Sequence, residues 1–282
     1  RYQPELIIGL GGYASAPVLA AARLAAVPVV IQEQNAFPGV VNRCFAPLVD
    51  AVFTAFDEAG RRLRGRRVIN CGNPVRRDFL AAGDGTGETA PTAPDDRLSL
   101  LVVGGSQGAR SLNRTVPPAV ARLQAEGLSL RVTHQAGSRE REKVQQLYAE
   151  AGVAATVADF FPEMPRLYRD AELVICRAGA LTLAELALVG KPAVLVPYPH
   201  AAHNHQEYNA RVFADRGAAV MVREAEMRPD SFAALLADLC RDGDRRRRMG
   251  RAARELARPR AAAEIVDHCL EIVAAGRTEG KK

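Results

Sequence analysis

Leu98-Ser-Leu-Leu-Val-Val-Gly-Gly-Ser-Gln-Gly-Ala-Arg110 is the stretch on which the reading of the chain turns. Its first half is an apolar run of strand length. A glycine turn follows, and from 110 to 126 the apolar residues recur at helical spacing. Strand, glycine turn and helix in succession form the opening of a β–α unit in a parallel sheet. Glycines let the backbone approach a ligand and leave N–H groups pointing outward at a helix N-terminus. The amides from Gly104 to Gly108, with Gly105 and Gln107 between them, the Ser106 hydroxyl and the helix dipole suit a diphosphate. No Gly-Lys-Ser/Thr follows, so the turn is not a P-loop, and its spacing is not the GxGxxG of a dinucleotide site.

Outward from this turn the same alternation repeats. Strands are expected at 6–9, 28–32, 51–55, 68–71, 98–103, 130–133, 171–176, 193–197 and 218–222, and helices at 110–126, 140–151 and 182–189. The pattern predicts an α/β fold of parallel sheets with helices on both faces. Residues 81–96, rich in Gly, Thr, Pro and Asp without apolar period, read as a linker. The expected organisation is a first α/β piece over 1–80, the linker over 81–96, a complete α/β domain over 97–244 and a basic helical segment over 245–282 that packs toward the first piece. The first piece holds about four strands where a doubly wound domain has about six. Together with a core strand starting almost at Arg1, this leads to the expectation that further sequence precedes it.

Composition narrows the class. With 48% hydrophobic and 25% charged residues the chain is globular, and no run of 18 apolar residues offers a membrane-spanning helix. The first residues lack the shape of a signal peptide. Cys44, Cys71, Cys176, Cys240 and Cys269 are scattered and odd in number, the pattern of free thiols rather than of a disulfide frame or a zinc site. The net charge of +6, concentrated in Arg245–Arg248, is compatible with anionic lipid, phosphorylated ligands or a solvated helix face. No basic stretch interleaved with aromatics suggests base stacking, so nucleic acid is not an expected partner.

Further motifs sit at strand ends, where open α/β sheets bind ligands. Gly9-Leu-Gly-Gly-Tyr-Ala-Ser-Ala-Pro17 is a second glycine turn, with Gly11 and Gly12 able to approach a ligand or simply to turn the chain. In Cys176-Arg-Ala-Gly-Ala-Leu-Thr-Leu-Ala-Glu185, Thr182 and Glu185 fit a capping box. Alternatively, Glu185 is a carboxylate that accepts hydrogen bonds from a ribose diol, with the amides of Ala180 to Thr182 facing phosphate. Val196-Pro-Tyr-Pro-His-Ala-Ala-His-Asn-His-Gln206 spaces three histidines, but His205 and Gln206 read better as sugar-hydroxyl contacts than as metal ligands. Gln32-Glu-Gln-Asn35 and Gly72-Asn-Pro-Val-Arg76 also follow strands, and Asp242-Gly-Asp244 reads as a helix cap.

Eight blocks, GLGGYASAP, QEQNAFPGVVNR, GNPVR, LVVGGSQGAR, DFFPEM, CRAGALTLAE, GKPAVLVPYPHA and HQEYNA, stand in an order that resembles the MurG family of bacterial glycosyltransferases (glycosyltransferase family 28). The resemblance covers nearly the whole chain and is weak in the linker and tail. It implies a GT-B fold of two Rossmann-like domains facing across a cleft, the first incomplete here. It also implies inverting, metal-independent and cofactor-free transfer of N-acetylglucosamine from UDP-N-acetylglucosamine to lipid I at the cytoplasmic face of the membrane, giving lipid II for peptidoglycan. Residue by residue, it implies that Ser106 contacts the donor diphosphate, Arg76 the nucleotide and Asn35 the transferred sugar. Phe161 would read uracil through its backbone, and Ala180, Leu181, Thr182, Leu183 and Ala184 would form an amide row near phosphate. Glu185 would hold the ribose, and Gln206, with His205 in the same turn, a sugar hydroxyl. The family's GGTGGH loop, whose histidine is the favoured general base, does not occur in this sequence, so no catalytic base is assigned and weak donor binding with poor turnover is expected. A transferase with another glycolipid acceptor and a non-catalytic UDP-sugar-binding fragment are the alternative readings.

Overall fold

The computed structural model describes residues 3–83, 97–105 and 107–279. They fall into two compact units, the first comprising 1–75, 201–209 and 258–282 and the second 76–200 and 210–257.

Unit 1 is built on a four-stranded parallel sheet in the order β1 (Ile7–Gly9), β2 (Val29–Glu33), β3 (Ala51–Thr54), β4 (Val68–Asn70). β2 and β3 are buried at every position, in keeping with the apolar Val29-Val-Ile31 and Ala51-Val-Phe53 that open them. Successive side chains point to opposite faces. Val29, Ile31 and Val52 pack with Leu19 of α1 (Ala16–Leu24) and Val41 of α2 (Val40–Phe45), whereas Val30 and Phe53 pack with Cys71, Ile265 and Cys269. A short α3 (Asp57–Gly60) joins β3 to β4.

Unit 2 starts with α4 (Arg77–Gly83) and carries a six-stranded parallel sheet. Its strands are β5 (Leu98–Val103), β6 (Leu130–Gln135), β7 (Ala155–Ala158), β8 (Leu173–Cys176), β9 (Ala193–Leu195) and β10 (Ala219–Met221), in the spatial order β10-β9-β8-β5-β6-β7. That is the doubly wound order, with the reversal between β5 and β8. Its helices are α5 (Arg110–Ala125), α6 (Arg141–Glu150), α7 (Met164–Asp170), α8 (Ala180–Val189), the end of α9 (His205–Asp215), α10 (Pro229–Arg241) and α11 (Gly243–Glu255). One core runs through Leu100, Val102, Leu112, Val116, Leu123, Ile175, Val194, Phe232 and Leu236.

Four expectations shift. The units divide at Val75, ahead of the expected linker: residues 81–83 are the last turn of α4, and 84–96 lie outside the described residues. Residues 201–209 belong to unit 1, not to the domain that surrounds them in sequence. The tail is two helices broken around Pro259, which cannot continue a helix hydrogen-bond ladder. Only the second of them, α12 (Ala261–Glu279), is part of unit 1. Strand β7 was not expected, because Ala-Thr-Val-Ala is too weakly β-branched to stand out. All five cysteines are free, and only Cys44 is exposed.

Leu236 of α10 is fully buried against unit 2's sheet. Leu236→Ala should lower the stability of unit 2 by about 2–5 kcal/mol, read as a fall in its denaturant midpoint; an unchanged midpoint would mean that α10 does not seal this face.

Candidate functional site

In unit 2 the register pairs Val103 with Cys176. Gly104 and Arg177 therefore leave neighbouring strands, about 4.8 Å apart, at the point of reversal where doubly wound sheets bind ligands. The glycine turn is tightly seated there. Gly104 donates to the Gln135 carbonyl at 3.0 Å and Gly108 to the Gly105 carbonyl at 3.0 Å. Gly105 and Gly108 have φ of +79° and +74°, and a Cβ on Gly108 would lie 2.3 Å from the Ala136 oxygen, so no other residue fits. Gln107 is exposed on the turn, and Ser106 lies outside the described residues.

Helix α8 begins beside this turn with Gly179 as its N-cap and no side-chain cap. The capping-box reading of Thr182 and Glu185 is thereby corrected: Thr182 itself holds the N3 position, and Glu185 lies three residues too deep in the helix for that role. The amide row also shortens. Leu183 donates to the Gly179 carbonyl at 3.0 Å and Ala184 lies within the helix, so the row that precedes the helix's own hydrogen-bond ladder is cut back to Ala180, Leu181 and Thr182.

Glu185 is half-buried, and burial pushes its carboxyl up to about 7, against the opposing pull of the Arg76 guanidinium. Arg76 is exposed and lies 5.3 Å over the Phe79 ring, which meets Tyr168 edge-on at 5.5 Å. Tyr168 is fully buried, and burial raises its phenol, with Glu185 adding to the rise. Phe161 is buried beyond β7, so its side chain serves packing.

Arg177 was not singled out in the sequence. Its guanidinium donates to the carbonyls of Val196 (3.2 Å) and Pro197 (3.3 Å) and to the Ser111 hydroxyl (3.0 Å), and pairs with Glu224 at 2.6 Å. It is a tie between the ends of β8 and β9 and α5. Only its place after a strand could have flagged it.

In unit 1 a cavity of about 190 Å³ is lined by Gly11, Gly12, Asn35, Asn42, His203 and His205, among others. Glu33, 2% exposed, organises its floor. One carboxylate oxygen accepts from the Asn35 amide (2.9 Å), the other from the Gly39 amide (2.9 Å) and Asn42 Nδ2 (2.8 Å). Asn209 accepts from the Ala36 amide at 2.8 Å and donates to Asn35 Oδ1 at 3.1 Å. Tyr208 stacks on Phe37 at 4.8 Å, which anchors the segment carrying His205 and the half-buried Gln206. His205 Nδ1 lies 2.8 Å from the Ala202 carbonyl. Among the described residues, no three His, Cys, Asp or Glu side chains converge as a metal site. Asp242 caps α11 by accepting from the Arg245 amide at 2.7 Å, as expected for the Asp-Gly-Asp turn.

Residues 99–265 match the glycosyltransferase family 28 C-terminal domain and residues 1–54 the N-terminal domain of that family. The chain is 45% identical over 273 residues to the UDP-N-acetylglucosamine–N-acetylmuramyl-(pentapeptide) pyrophosphoryl-undecaprenol N-acetylglucosamine transferase of Anaeromyxobacter sp. (strain Fw109-5), covering 97% of this chain and 70% of the relative. It is 45% identical over 275 residues to the protein of the same name from Stutzerimonas stutzeri (strain A1501), covering 96% and 74%. The crystal structure of Acinetobacter baumannii MurG aligns with a TM-score of 0.80 at 34% identity, covering 95% of this chain and 74% of that one. The fold is therefore GT-B.

A carboxyl whose folded-state value lies above its unfolded one contributes stability below about 4.5 that is lost as the pH rises through about 7. Glu185→Gln, neutral throughout, should therefore gain in thermal midpoint over the unsubstituted chain between pH 4.5 and pH 8. A constant difference across that range would show that Glu185 does not bear this burial.

Proposed function

The chain belongs to glycosyltransferase family 28, and from that premise we propose that it transfers N-acetylglucosamine from UDP-N-acetylglucosamine to lipid I, forming lipid II with inversion at the anomeric carbon. The observation that carries the donor half is the meeting, at the β5–β8 reversal, of a glycine turn and a helix N-terminus with a carboxylate one turn further on. The turn amides and Ser106 take the diphosphate, and the first amides of α8 add the partial positive charge of a helix end. Glu185, when ionised, accepts from the ribose diol. Arg76 supplies a cation to the nucleotide, and the backbone at Phe161 reads the base. Asn35, His205 and Gln206 of unit 1 contact sugar hydroxyls. The acceptor 4-hydroxyl attacks the anomeric carbon as a base removes its proton. Amides held in place before the reaction stabilise the charge that develops on the departing UDP.

The acceptor is a membrane lipid, which favours a peripheral position on the cytoplasmic face. Among the described residues no helix is long and apolar enough to cross a membrane. Unit 1 does present an apolar groove of about 440 Å³, lined by Leu24, Phe45, Pro47 and Leu48 together with Arg66 and the Arg23–Asp50 ion pair (3.5 Å). Leu24 is 91% exposed and Leu48 56%, the pairing of apolar residues and cations that suits an anionic lipid surface.

Titration with UDP should give saturable binding that Glu185→Ala weakens by about 1.5–3 kcal/mol, roughly tenfold or more; unchanged affinity would remove Glu185 from the donor site. Leu24→Glu with Leu48→Glu should reduce sedimentation with phosphatidylglycerol vesicles several-fold, and equal sedimentation would exclude this groove as the lipid-facing surface.

A further inference from the structure

We infer that Asn113, oriented by His134 and Tyr148, is the positioning residue that holds Gly104 and Gly108, the two ends of the glycine turn, in place for an anion, an inference that rests on the donor-site reading above.

The turn sits on a platform made by the end of β6. Gly104 donates to the Gln135 carbonyl at 3.0 Å. A Cβ on Gly108 would lie 2.3 Å from the Ala136 oxygen, and one on Gly137 2.3 Å from the Gly108 nitrogen. The two backbones are thus in direct contact, and a small shift of residues 135–137 displaces the turn. The platform is pinned from beneath. The Ala136 amide donates to the Ala158 carbonyl at 2.8 Å, and its carbonyl accepts from Asn113 Nδ2 at 3.0 Å. Asn113 Nδ2 also donates to Glu140 Oε2 at 2.8 Å, and Glu140 reaches back to Arg110 Nε (3.7 Å) at the start of α5.

Asn113 has one orientation available. Both Nδ2 hydrogens are engaged, so its Oδ1 must accept, and the partner is His134 Nε2 at 3.1 Å. That nitrogen therefore carries the ring proton. His134 Nδ1 is left to accept, and the Tyr148 hydroxyl lies 3.0 Å away to donate. Asn113 and His134 are at most 1% exposed, and burial pushes His134 down to about 3, so the ring stays neutral. Three polar side chains in an otherwise apolar core are expensive unless every atom is satisfied, and these satisfy one another in a single arrangement. Leu or Val would fill the same space without that demand. What the polar set adds is a fixed carbonyl under the turn and a link to the helix that follows it.

The test uses the full chain, with Asn113→Ala and with Tyr148→Phe, which disturbs His134 but leaves Asn113 in place. Two quantities are read: amide hydrogen exchange over residues 103–109 without ligand, and the ratio of UDP to uridine affinity. Asn113→Ala should speed exchange in the turn by about tenfold and lower the UDP-to-uridine ratio by a similar factor. Uridine affinity and exchange in β8 should be unchanged, and Tyr148→Phe should have a smaller effect in the same direction. An unaltered ratio with unaltered turn exchange overturns the inference. So does faster exchange spread evenly over unit 2 with uridine binding lost in proportion, since that is mere destabilisation. If the unsubstituted chain binds no UDP, the donor reading fails by itself, and the exchange comparison still decides whether Asn113 holds the turn.

Discussion

The pairing of β5 with β8 is the constraint on which the donor half depends. The chain leaves β5 toward β6 and β7, returns, and lays β8 on the other side of β5. Parallel strands need helical crossovers, and reversing direction puts those crossovers on opposite faces of the sheet. Two consequences follow from that single reversal. The central strands are covered twice, which accounts for the unbroken apolar runs at Leu100–Val103 and Leu173–Cys176. The reversal also leaves a glycine turn after β5 beside the N-terminus of α8 after β8. Arg177, through its ties to Val196, Pro197 and Ser111, holds the ends of β8 and β9 to α5 beside that turn.

Glu185 shows stability and ligand binding in opposition. A carboxyl pushed to about 7 by burial destabilises the ligand-free fold above that pH. Gln or Leu at the same helical position would be easier to bury. In the proposed site a ribose diol donates to the carboxylate when the nucleotide arrives, so the group that is poorly solvated alone becomes satisfied in the complex. Such a group is a candidate for function because folding alone gives no reason for it.

Much of the fold was legible because its signals are local. β-branched runs marked nine of the ten strands among the described residues, and glycines marked the turns that follow β1 and β5. What escaped was set by contacts distant in sequence or by weak local signals. β7 has two alanines in four residues and is held mainly by pairing with β6. The Thr182–Glu185 spacing matched a capping box, but the helix starts at Ala180, earlier than that motif requires. Asn113, His134 and Tyr148 lie on three elements, and nothing in their spacing announces a shared network. The same holds for Arg177, whose partners are up to 66 residues away.

The segment 201–209 carries this argument furthest. By sequence it belongs with unit 2, because strands β9 and β10 of that unit flank it. Its contacts place it in unit 1: Asn209 bonds Ala36 and Asn35, and Tyr208 stacks on Phe37. His203 and Asn204 adopt φ near +55°, backbone that non-glycine residues hold only when their surroundings enforce it. The enforcement comes from this anchoring. Asn35, His205 and Gln206 therefore belong to unit 1, while Gly104, Gly105, Gly108 and Glu185 belong to unit 2. The chain leaves unit 2 for nine residues and returns, so nearness in sequence does not decide which residues share a unit.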